Sequence, residues 1–160
     1  MSKEINIIAC IAKNGAIGLN NQLLYHLRAD MEHFKALTTG HTIVMGRKTY
    51  ESLPNGALPH RKNVVVSQSL EHIEGCVVCH SLEEALNQAE QLYIIGGASI
   101  YEAALPLANH LYLTVVDDEP KTADTYFPDI NWKEWSVDSR TEKKEQGLSF
   151  TILALHRVIS

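Results

Sequence analysis

The sequence predicts an α/β fold: a single domain with a mainly parallel central sheet, flanking helices and an antiparallel hairpin at its C-terminal edge. Three observations lead to this class. Short apolar runs rich in β-branched residues recur along the chain, helical patterns alternate with them, and the tail holds two long strand-like runs with no room for a helix between them. Buried strands that alternate with helices are typical of a parallel sheet. At 160 residues and 45% hydrophobic content, the chain has the size of one globular domain.

The individual elements follow from these patterns. The third predicted helix opens with SLEE, in which Ser81 and Glu84 have the spacing of a capping box. The tail runs, 135–141 and 148–158, are separated by the polar KKEQG and predict an antiparallel hairpin. We predict strands at residues 5–12, 41–46, 62–67, 76–79, 92–96 and 110–117, and helices at residues 27–37, 47–53, 82–90 and 98–108.

Residues 13–26, KNGAIGLNNQLLYH, form one long stretch without a clear helix or strand pattern. A connection of this length is unusual in a compact domain unless it serves a function. We therefore predict a mobile functional loop.

Charge limits the partners of this chain. The formal net charge of -5 argues against a nucleic-acid partner, which would require a basic face. Residues 40–68 nevertheless hold four basic side chains against one acidic side chain. A local basic site on an acidic protein suits a small anionic ligand.

The N-terminal apolar run is broken by Lys13 and lacks a cleavage site, so we expect no signal peptide. No segment approaches the roughly 20 apolar residues of a membrane span. We expect a cytoplasmic protein without a membrane partner. The odd number of cysteines, three, favours reduced thiols over disulfides.

The run CVVCH, with Cys76, Cys79 and His80, has the spacing of a haem attachment site or of half a zinc site. A zinc site needs a second ligand pair, which the scattered histidines do not supply. The β-branched residues between the thiols instead predict a strand, on which the two cysteines point to opposite faces. The acidic run 115–129 lacks the spacing of a calcium loop. We therefore expect no metal site.

Two stretches have the pattern of a phosphate cradle. In MGRKT, Gly46 ends a strand and a helix follows, so that backbone N–H groups, Lys48 and Thr49 face an anion. In IIGGASIY, Gly96 and Gly97 permit close approach of the backbone to a ligand. Neither stretch matches the Walker loop or the GxGxxG fingerprint, and a glycine that simply ends a strand is the alternative for each. Together they suit a ligand with separated phosphates.

Asp30 lies on the apolar side of a predicted helix. Helical spacing places it on the same arc as Leu27, Met31 and Phe34, while the charged residues of the helix lie opposite. An acid in the first turn also interacts favourably with the helix dipole, which is the simpler explanation. The helix dipole would favour an acid on any face of the first turn, so it does not account for the position of Asp30 on the apolar face. We therefore predict a partly buried carboxylate that meets a polar ligand.

Taken in order, these blocks resemble the dihydrofolate reductase family nearly from end to end. The resemblance is carried by IACIAKNGAIG, HLRADM, TIVMGRKTYESL, LPHRKNVVVS, IIGGASIYEAALPLA, LYLTVV and ADTYFP. It implies NADPH as the cofactor, with hydride transfer to C6 of 7,8-dihydrofolate and protonation at N5, for one-carbon metabolism. It also implies antifolate inhibitors as ligands and a monomeric protein.

The resemblance implies two catalytic residues. Asp30 matches the active-site carboxylate, which holds the pterin N3 and 2-amino group and favours protonation at N5. Tyr25 replaces a tryptophan that usually binds an ordered water near the pterin. Arg61 would bind the glutamate α-carboxylate, and Thr114 would bond to Asp30. The implied substrate-binding residues are Ile8, Cys10, Asp30, Met31, Phe34, Leu53, Leu58, Arg61 and Thr114.

The resemblance also implies where NADPH binds. Three residues, Arg47, Ser67 and Gln68, match the site of the adenosine 2′-phosphate, and the Gly96–Gly97 bond matches a cis peptide. The implied cofactor-binding residues are Cys10, Ile17, Gly18, Gly46, Arg47, Lys48, Thr49, Ser67, Gln68, Ile95, Gly96, Gly97, Ala98, Ser99, Ile100 and Tyr101.

Four positions depart from the usual family pattern. Leu24 and Arg28 replace prolines, Tyr25 replaces the tryptophan, and Ala98 replaces a glycine. These changes concern loop rigidity and inhibitor affinity. Two other functions remain open: a related reductase that acts on another heterocycle, as in riboflavin synthesis, and a non-catalytic nucleotide-binding module. The combination of Asp30 with Arg61 disfavours the related reductase, and a nucleotide-binding module would keep the cradles without a buried acid.

Overall fold

The computed structural model of the protein describes residues 3–20 and 22–158. In chain order, the strands are β1 (Glu4–Ala12), β2 (Ala16–Leu19), β3 (Gln22–Leu23), β4 (Thr42–Gly46), β5 (Lys62–Val66), β6 (Cys76–Cys79), β7 (Gln91–Gly96), β8 (His110–Val116), β9 (Thr125–Tyr126), β10 (Trp135–Glu145) and β11 (Leu148–Arg157). The α-helices are α1 (Arg28–Thr38), α2 (Arg47–Ser52), α3 (Leu82–Leu86) and α4 (Ala98–Ala104), and short 3-10 helices span Leu105–Leu107 and Trp132–Glu134.

The central sheet has eight strands in the order β10-β11-β8-β1-β7-β4-β5-β6. The six strands from β8 to β6 in this order are parallel, whereas β11 runs antiparallel to β8 and β10 antiparallel to β11. The predicted fold class is therefore confirmed, with the hairpin at one edge. Because parallel strands end at the same edge of a sheet, the glycines that end β4 and β7 come together: Met45 pairs with Gly96.

The core lies on both faces of this sheet. Successive residues of β1 alternate between the faces, so that Ile7 packs in one buried cluster and Ile8 in another. Cys79 belongs to the first cluster and Cys76 packs against the second, which confirms that the two thiols point to opposite faces. Within the described residues, no group of histidine, cysteine and acidic side chains is arranged to hold a metal ion.

Two predicted helices end earlier than expected. α3 stops at Leu86 because Asn87 and Gln88 form a turn that returns the chain to β7. α4 stops at Ala104, where the 3-10 helix containing Pro106 begins, since proline has no N–H to continue an α-helix. The predicted capping interaction of α3 is present: Glu84 N donates to Ser81 Oγ at 3.1 Å, and Glu84 Oε2 accepts from His80 N.

The hairpin and the long loop also differ from the prediction. β10 extends to Glu145, and a two-residue turn with positive φ at Gln146 and Gly147 joins it to β11. The stretch 13–26 is not irregular throughout, because β2 and β3 lie within it and form a small sheet with β9. The sequence pattern did not reveal these strands, since both are short and β2 takes its second partner, β9, from a distant segment. No helix in the described part of the chain is long and apolar enough to cross a membrane.

Candidate active site

Asp30 lies in the first turn of α1, against the sheet. Its Oδ1 atom accepts a hydrogen bond of 2.6 Å from the Oγ1 of Thr114, a buried residue of β8. Burial raises the pKa of the Asp30 carboxyl, while the Thr114 hydrogen bond and the nearby His33 ring act in the opposite direction. A carboxylate held in this way is partly removed from water but keeps a firm position on the sheet. The hydrogen bond to Thr114 that the resemblance implied is therefore present.

The substitution Thr114→Val tests the hydrogen bond to Asp30. Valine keeps the shape of threonine but offers no donor, so the ionised carboxylate loses a stabilising partner and the pKa of Asp30 rises further. We expect turnover at pH 7 to fall by at least about tenfold, since a hydrogen bond to a charged group is worth about 1.5–3 kcal/mol. Carbon NMR of protein labelled at its aspartate carboxyls measures the titration of Asp30. Thr141→Val, on exposed β10, is the control and should leave that titration unchanged.

Neutral polar groups surround Asp30. Cys10 of β1 pairs with Thr114 in the sheet, and burial followed by the Asp30 charge raises the pKa of its thiol. The buried Tyr101 of α4 donates its hydroxyl to Ile8 O at 2.8 Å, and burial followed by Asp30 raises the pKa of that hydroxyl. Both side chains are therefore uncharged at neutral pH. They leave the carboxylate as the charged group that faces this part of the site.

An apolar wall extends from Asp30 along α1. Phe34, Leu53 and Leu58 all pack against the buried cluster that contains Ile8. At the end of this wall, the Cζ of Arg61 lies 5.9 Å from the centroid of the Phe34 ring. Arg61 Nε donates to Pro59 O, and partial burial lowers the pKa of the guanidinium.

Met31 differs from the other wall residues. It leaves 54% of its surface exposed, although helical spacing placed it on the apolar arc. The reason is that α1 turns only part of this arc onto the sheet, with Phe34 and Leu37 packed against the cluster of Ile8. The implied contact of Met31 with substrate stays a prediction.

The two glycine cradles meet at the carboxyl edge of the sheet. α2 begins directly after Gly46, and α4 begins directly after Gly97. A Cβ atom added to Gly97 would lie 3.3 Å from Thr49 Oγ1, and one added to Gly46 would lie 3.3 Å from Ile100 Cγ1. The peptide bond between Gly96 and Gly97 is cis, as the resemblance implied. Backbone without side chains at this edge fits a ligand that approaches closely, as a dinucleotide does.

A methyl group at Gly96 should damage this cradle. Gly96 has φ +129°, and a Cβ there would lie 3.4 Å from both Thr49 Oγ1 and the Tyr101 hydroxyl. We expect Gly96→Ala to lower the free energy of unfolding by about 1–3 kcal/mol and to weaken NADPH binding. Gly40→Ala is the matched control, because Gly40 also has positive φ but a Cβ there meets nothing within 4 Å. It should cost stability without changing NADPH affinity, as measured by thermal unfolding and fluorescence titration.

Arg47 and Ser67 lie side by side. Gly46 pairs with Val66 on neighbouring parallel strands, so the residues that follow them emerge together. Arg47 is exposed, while Ser67 is buried and accepts a hydrogen bond from Leu70 N at 3.1 Å. The Ser67 hydroxyl keeps its own hydrogen for donation. Together with the exposed Gln68, this group has the chemistry to bind a phosphate.

The stretch 13–26 packs beside the site. Ile17 of β2 is buried in the core cluster that also contains Tyr101. The backbone of Gly18 accepts a hydrogen bond from Asp124 N, and the Asp124 carboxylate accepts from Asn20 N at 2.9 Å. The hydrogen bonds that this carboxylate accepts from Asn20 N and from the Thr125 hydroxyl lower the pKa of Asp124.

Tyr25 has a partner that the sequence did not reveal. Its hydroxyl donates to Asp118 Oδ2 at 2.7 Å, and burial together with this bond raises the pKa of the hydroxyl. The direct contact that the structure shows for the Tyr25 hydroxyl is therefore with Asp118. The implied contact of Tyr25 with a water near the pterin stays a prediction. Asp118 lies in the acidic run 115–129, where no local pattern distinguishes it from its neighbours. His33 was missed as well: burial lowers the pKa of its ring, and Asp30 opposes this shift.

The site combines two glycine cradles at one edge of a parallel sheet with a partly buried carboxylate and an apolar wall. This combination is typical of an α/β oxidoreductase that uses a dinucleotide cofactor. The sequence profile of dihydrofolate reductase matches residues 4–157. The chain belongs to the dihydrofolate reductase family. Its activity is the NADPH-dependent reduction of dihydrofolate, a step of folate metabolism.

Individual relatives support this assignment. The type 3 dihydrofolate reductase of Salmonella typhimurium is 41% identical and covers 96% of this chain and 99% of its own. The dihydrofolate reductase of Neisseria gonorrhoeae is 40% identical, with 94% and 96% covered. The solved structure of the Enterococcus faecalis dihydrofolate reductase, complexed with NADP(H) and RAB-propyl, has a TM-score of 0.88 at 29% identity and covers 96% of both chains.

Proposed function

We propose that Asp30 is the catalytic carboxylate of this reductase, and that the pterin ring binds beside it between α1 and the sheet. The observation that carries this proposal is the hydrogen bond of 2.6 Å between Asp30 and Thr114, which ties a partly buried acid to β8. The Tyr101 hydroxyl, whose pKa Asp30 helps to raise, lies against Gly96 of one glycine cradle. Paired N–H donors at N3 and the 2-amino group of the pterin give this carboxylate a charge-assisted partner. The raised pKa of Asp30 helps it to favour protonation at N5 of the bound ring.

The residues around Asp30 bind and orient the substrate. Ile8, Phe34 and Leu53, with Met31 and Leu58, form the apolar surface for the pterin and aminobenzoyl rings. Arg61, at the far end of that surface, binds the α-carboxylate of the glutamate. The neutral Cys10 and Tyr101 exclude water from the reacting ring without adding a competing charge.

The cradles hold the cofactor. When bound, NADPH supplies the hydride that reaches C6 of the pterin. Gly46 and Gly97 let the backbone approach the diphosphate, because side chains there would fill the space. Lys48 and Thr49 add a cation and a hydroxyl to the same cradle. The remaining cofactor contacts proposed here are Cys10, Ile17, Gly18, Arg47, Ser67, Gln68, Ile95, Gly96, Ala98, Ser99, Ile100 and Tyr101.

An absorbance assay at 340 nm tests this function. NADPH and dihydrofolate are mixed with the protein, and the loss of absorbance is followed with and without dihydrofolate. We expect consumption of NADPH that depends on dihydrofolate. If NADPH is consumed only with a reducible pyrimidine substrate, the chain is a reductase of another heterocycle. If NADPH binds without turnover on any of these substrates, it is a nucleotide-binding module.

We further propose that the protein is a cytoplasmic monomer that binds antifolate inhibitors in the pterin pocket. Diaminopyrimidines carry the paired N–H donors that Asp30 accepts. The long edge strand β10 carries exposed charges, including Arg140, Glu142 and Lys143, and such charges disfavour edge-to-edge association. The three cysteines are unpaired, which suits a reducing compartment. Size-exclusion chromatography with light scattering measures the oligomeric state.

A further inference from the structure

The N-terminus of α1 is capped by a side chain that lies 117 residues further along the chain. Leu27 precedes the helix and its side chain offers no acceptor for the first N–H groups. The Glu145 carboxylate accepts from Arg28 N at 2.5 Å and from Ala29 N at 3.2 Å. A carboxylate is the favoured partner at this end of a helix. Glu145 is the last residue of β10, so the edge hairpin caps the helix that carries Asp30.

A second acid holds the segment just before α1. The Tyr25 hydroxyl donates to Asp118 Oδ2 at 2.7 Å, and the backbone oxygen of Asp118 accepts from Lys13 N at 3.2 Å. Asp118 therefore contacts both ends of the stretch 13–26. Tyr25 itself packs against the buried cluster of Leu27, Val116 and Phe150, which fixes its ring.

Both contacts depend on residues that depart from the family pattern. Tyr25 brings a hydroxyl where a tryptophan is usual, and that hydroxyl is what reaches Asp118. Arg28 brings a backbone N–H where a proline is usual, and a proline has no N–H to donate. The two prolines that would stiffen this segment are absent, and two acids from other parts of the chain bind it instead.

We propose that Asp118 and Glu145 are positioning residues, which hold the segment from Tyr25 to Ala29 and thereby fix where α1 presents Asp30. This inference rests on the proposed catalytic function of Asp30. Asp30 is one residue beyond Ala29, within the first turn of the helix. A displacement of that turn moves the carboxylate away from Thr114 and from the bound pterin. Hydride transfer depends on such placement, because misplacement by about 1 Å lowers rates strongly.

The Tyr25–Asp118 bond is tested with a double-mutant cycle. Tyr25→Phe, Asp118→Ala and the double variant are compared by stopped-flow measurement of hydride transfer, with deuterated NADPH to verify that this step is observed. We expect each single variant to be about threefold to tenfold slower, and the double variant to be no slower than the worse single variant, since one bond is lost in all three. Asp117→Ala is the control, because Asp117 is an adjacent acid that pairs with the exposed Lys13.

The Glu145 cap is tested with Glu145→Ala and Glu145→Gln. Alanine removes both acceptors, whereas glutamine keeps one carbonyl oxygen, so we expect about a tenfold slower hydride transfer for alanine and a partial recovery for glutamine. The KM for NADPH should stay unchanged. Amide hydrogen exchange at Arg28 and Ala29, measured by NMR, should become faster in Glu145→Ala without any need for activity. Glu142→Gln, on the same strand, is the control.

The outcomes separate this inference from the proposed function. Turnover of the wild-type protein with dihydrofolate tests the function, and ratios between variants and controls test the positioning. If the anchor variants melt at lower temperature but transfer hydride at the rate of their controls, the acids only stabilise the fold and the inference is wrong. Losses that multiply in the double variant also contradict it. If an alanine variant does not fold, Tyr25→Phe and Glu145→Gln, which preserve side-chain shape, decide the question.

Discussion

Replacing Asp30 with asparagine is expected to lower the rate of hydride transfer to dihydrofolate at pH 7 by at least about a hundredfold, since one well-placed acid is typically worth two to four decades. The amide has nearly the same shape but cannot favour the protonated pterin. The loss should become smaller at low pH, where solvent protonates the substrate. Single-turnover rates across the pH range measure both effects.

Glu32→Gln is the matched control for this substitution. Glu32 lies on the same helix, is exposed and pairs with Arg28 at 2.9 Å, so its loss should change the rate little. Turnover of the Asp30→Asn variant at the wild-type rate at neutral pH would show that another group handles the proton.

Asp30→Asn should also stabilise the fold at neutral pH. Burial raises the pKa of Asp30 in the folded protein above its unfolded value. Between the unfolded and the folded pKa of Asp30, the folded state therefore binds more protons than the unfolded state. The free energy of unfolding falls as the pH rises through this range. At pH 7 the ionised carboxylate opposes folding, and a neutral amide removes that opposition. We expect a higher Tm for the variant at pH 7 and a smaller difference at pH 4.

Replacing Arg47 with alanine is expected to weaken NADPH binding about tenfold to a hundredfold more than NADH binding, because charge-assisted hydrogen bonds are each worth about 1.5–3 kcal/mol. The physical reason is the proposed contact of Arg47 with the 2′-phosphate, since Arg47 and Ser67 follow paired residues at the ends of neighbouring strands. Dissociation constants for the two cofactors, from fluorescence titration at one ionic strength, measure the difference.

Arg140→Ala is the control for general loss of positive charge. Arg140 is an exposed arginine on β10 that pairs with Glu142, at the opposite edge of the sheet from β6. Its removal should change the affinities for NADPH and NADH alike and only slightly. Equal losses for NADPH and NADH in Arg47→Ala would mean that Arg47 contacts another part of the cofactor.

The strands were predictable because their signal is local. A run such as that of β1 or β4 is apolar on both faces, and this pattern is present whatever the strand pairs with. The end of β10 was not predictable in the same way, since its charged residues face solvent and resemble a loop. Only pairing with β11 makes them a strand. β2 was hidden because it is short and pairs with β9, about a hundred residues away, and β3 because it has only two residues.

The residues of the site also fall into those that a local pattern predicts and those that only the folded structure brings together. The position of Asp30 on an apolar arc, and the glycines that end β4 and β7, are visible in helical spacing and in residue type. The resemblance to a known family added the roles of Thr114 and Arg61, which no local pattern indicates. That Gly46 lies beside Gly97, and Thr114 beside Asp30, follows from strand order, which a single sequence does not encode in any short segment.

By itself the sequence determined the class of fold, the buried acid and the two cradles, because these depend on side-chain chemistry and on spacing within ten or so residues. Only the tertiary structure decided which partners the segment before Asp30 has. Tyr25 meets Asp118, and Arg28 meets Glu145, across more than ninety residues in each case. Each partner lies in a charged stretch where neighbouring acids look alike. The choice among them is made by the geometry of the folded sheet and its hairpin, which brings one carboxylate within hydrogen-bonding distance and leaves the others in water.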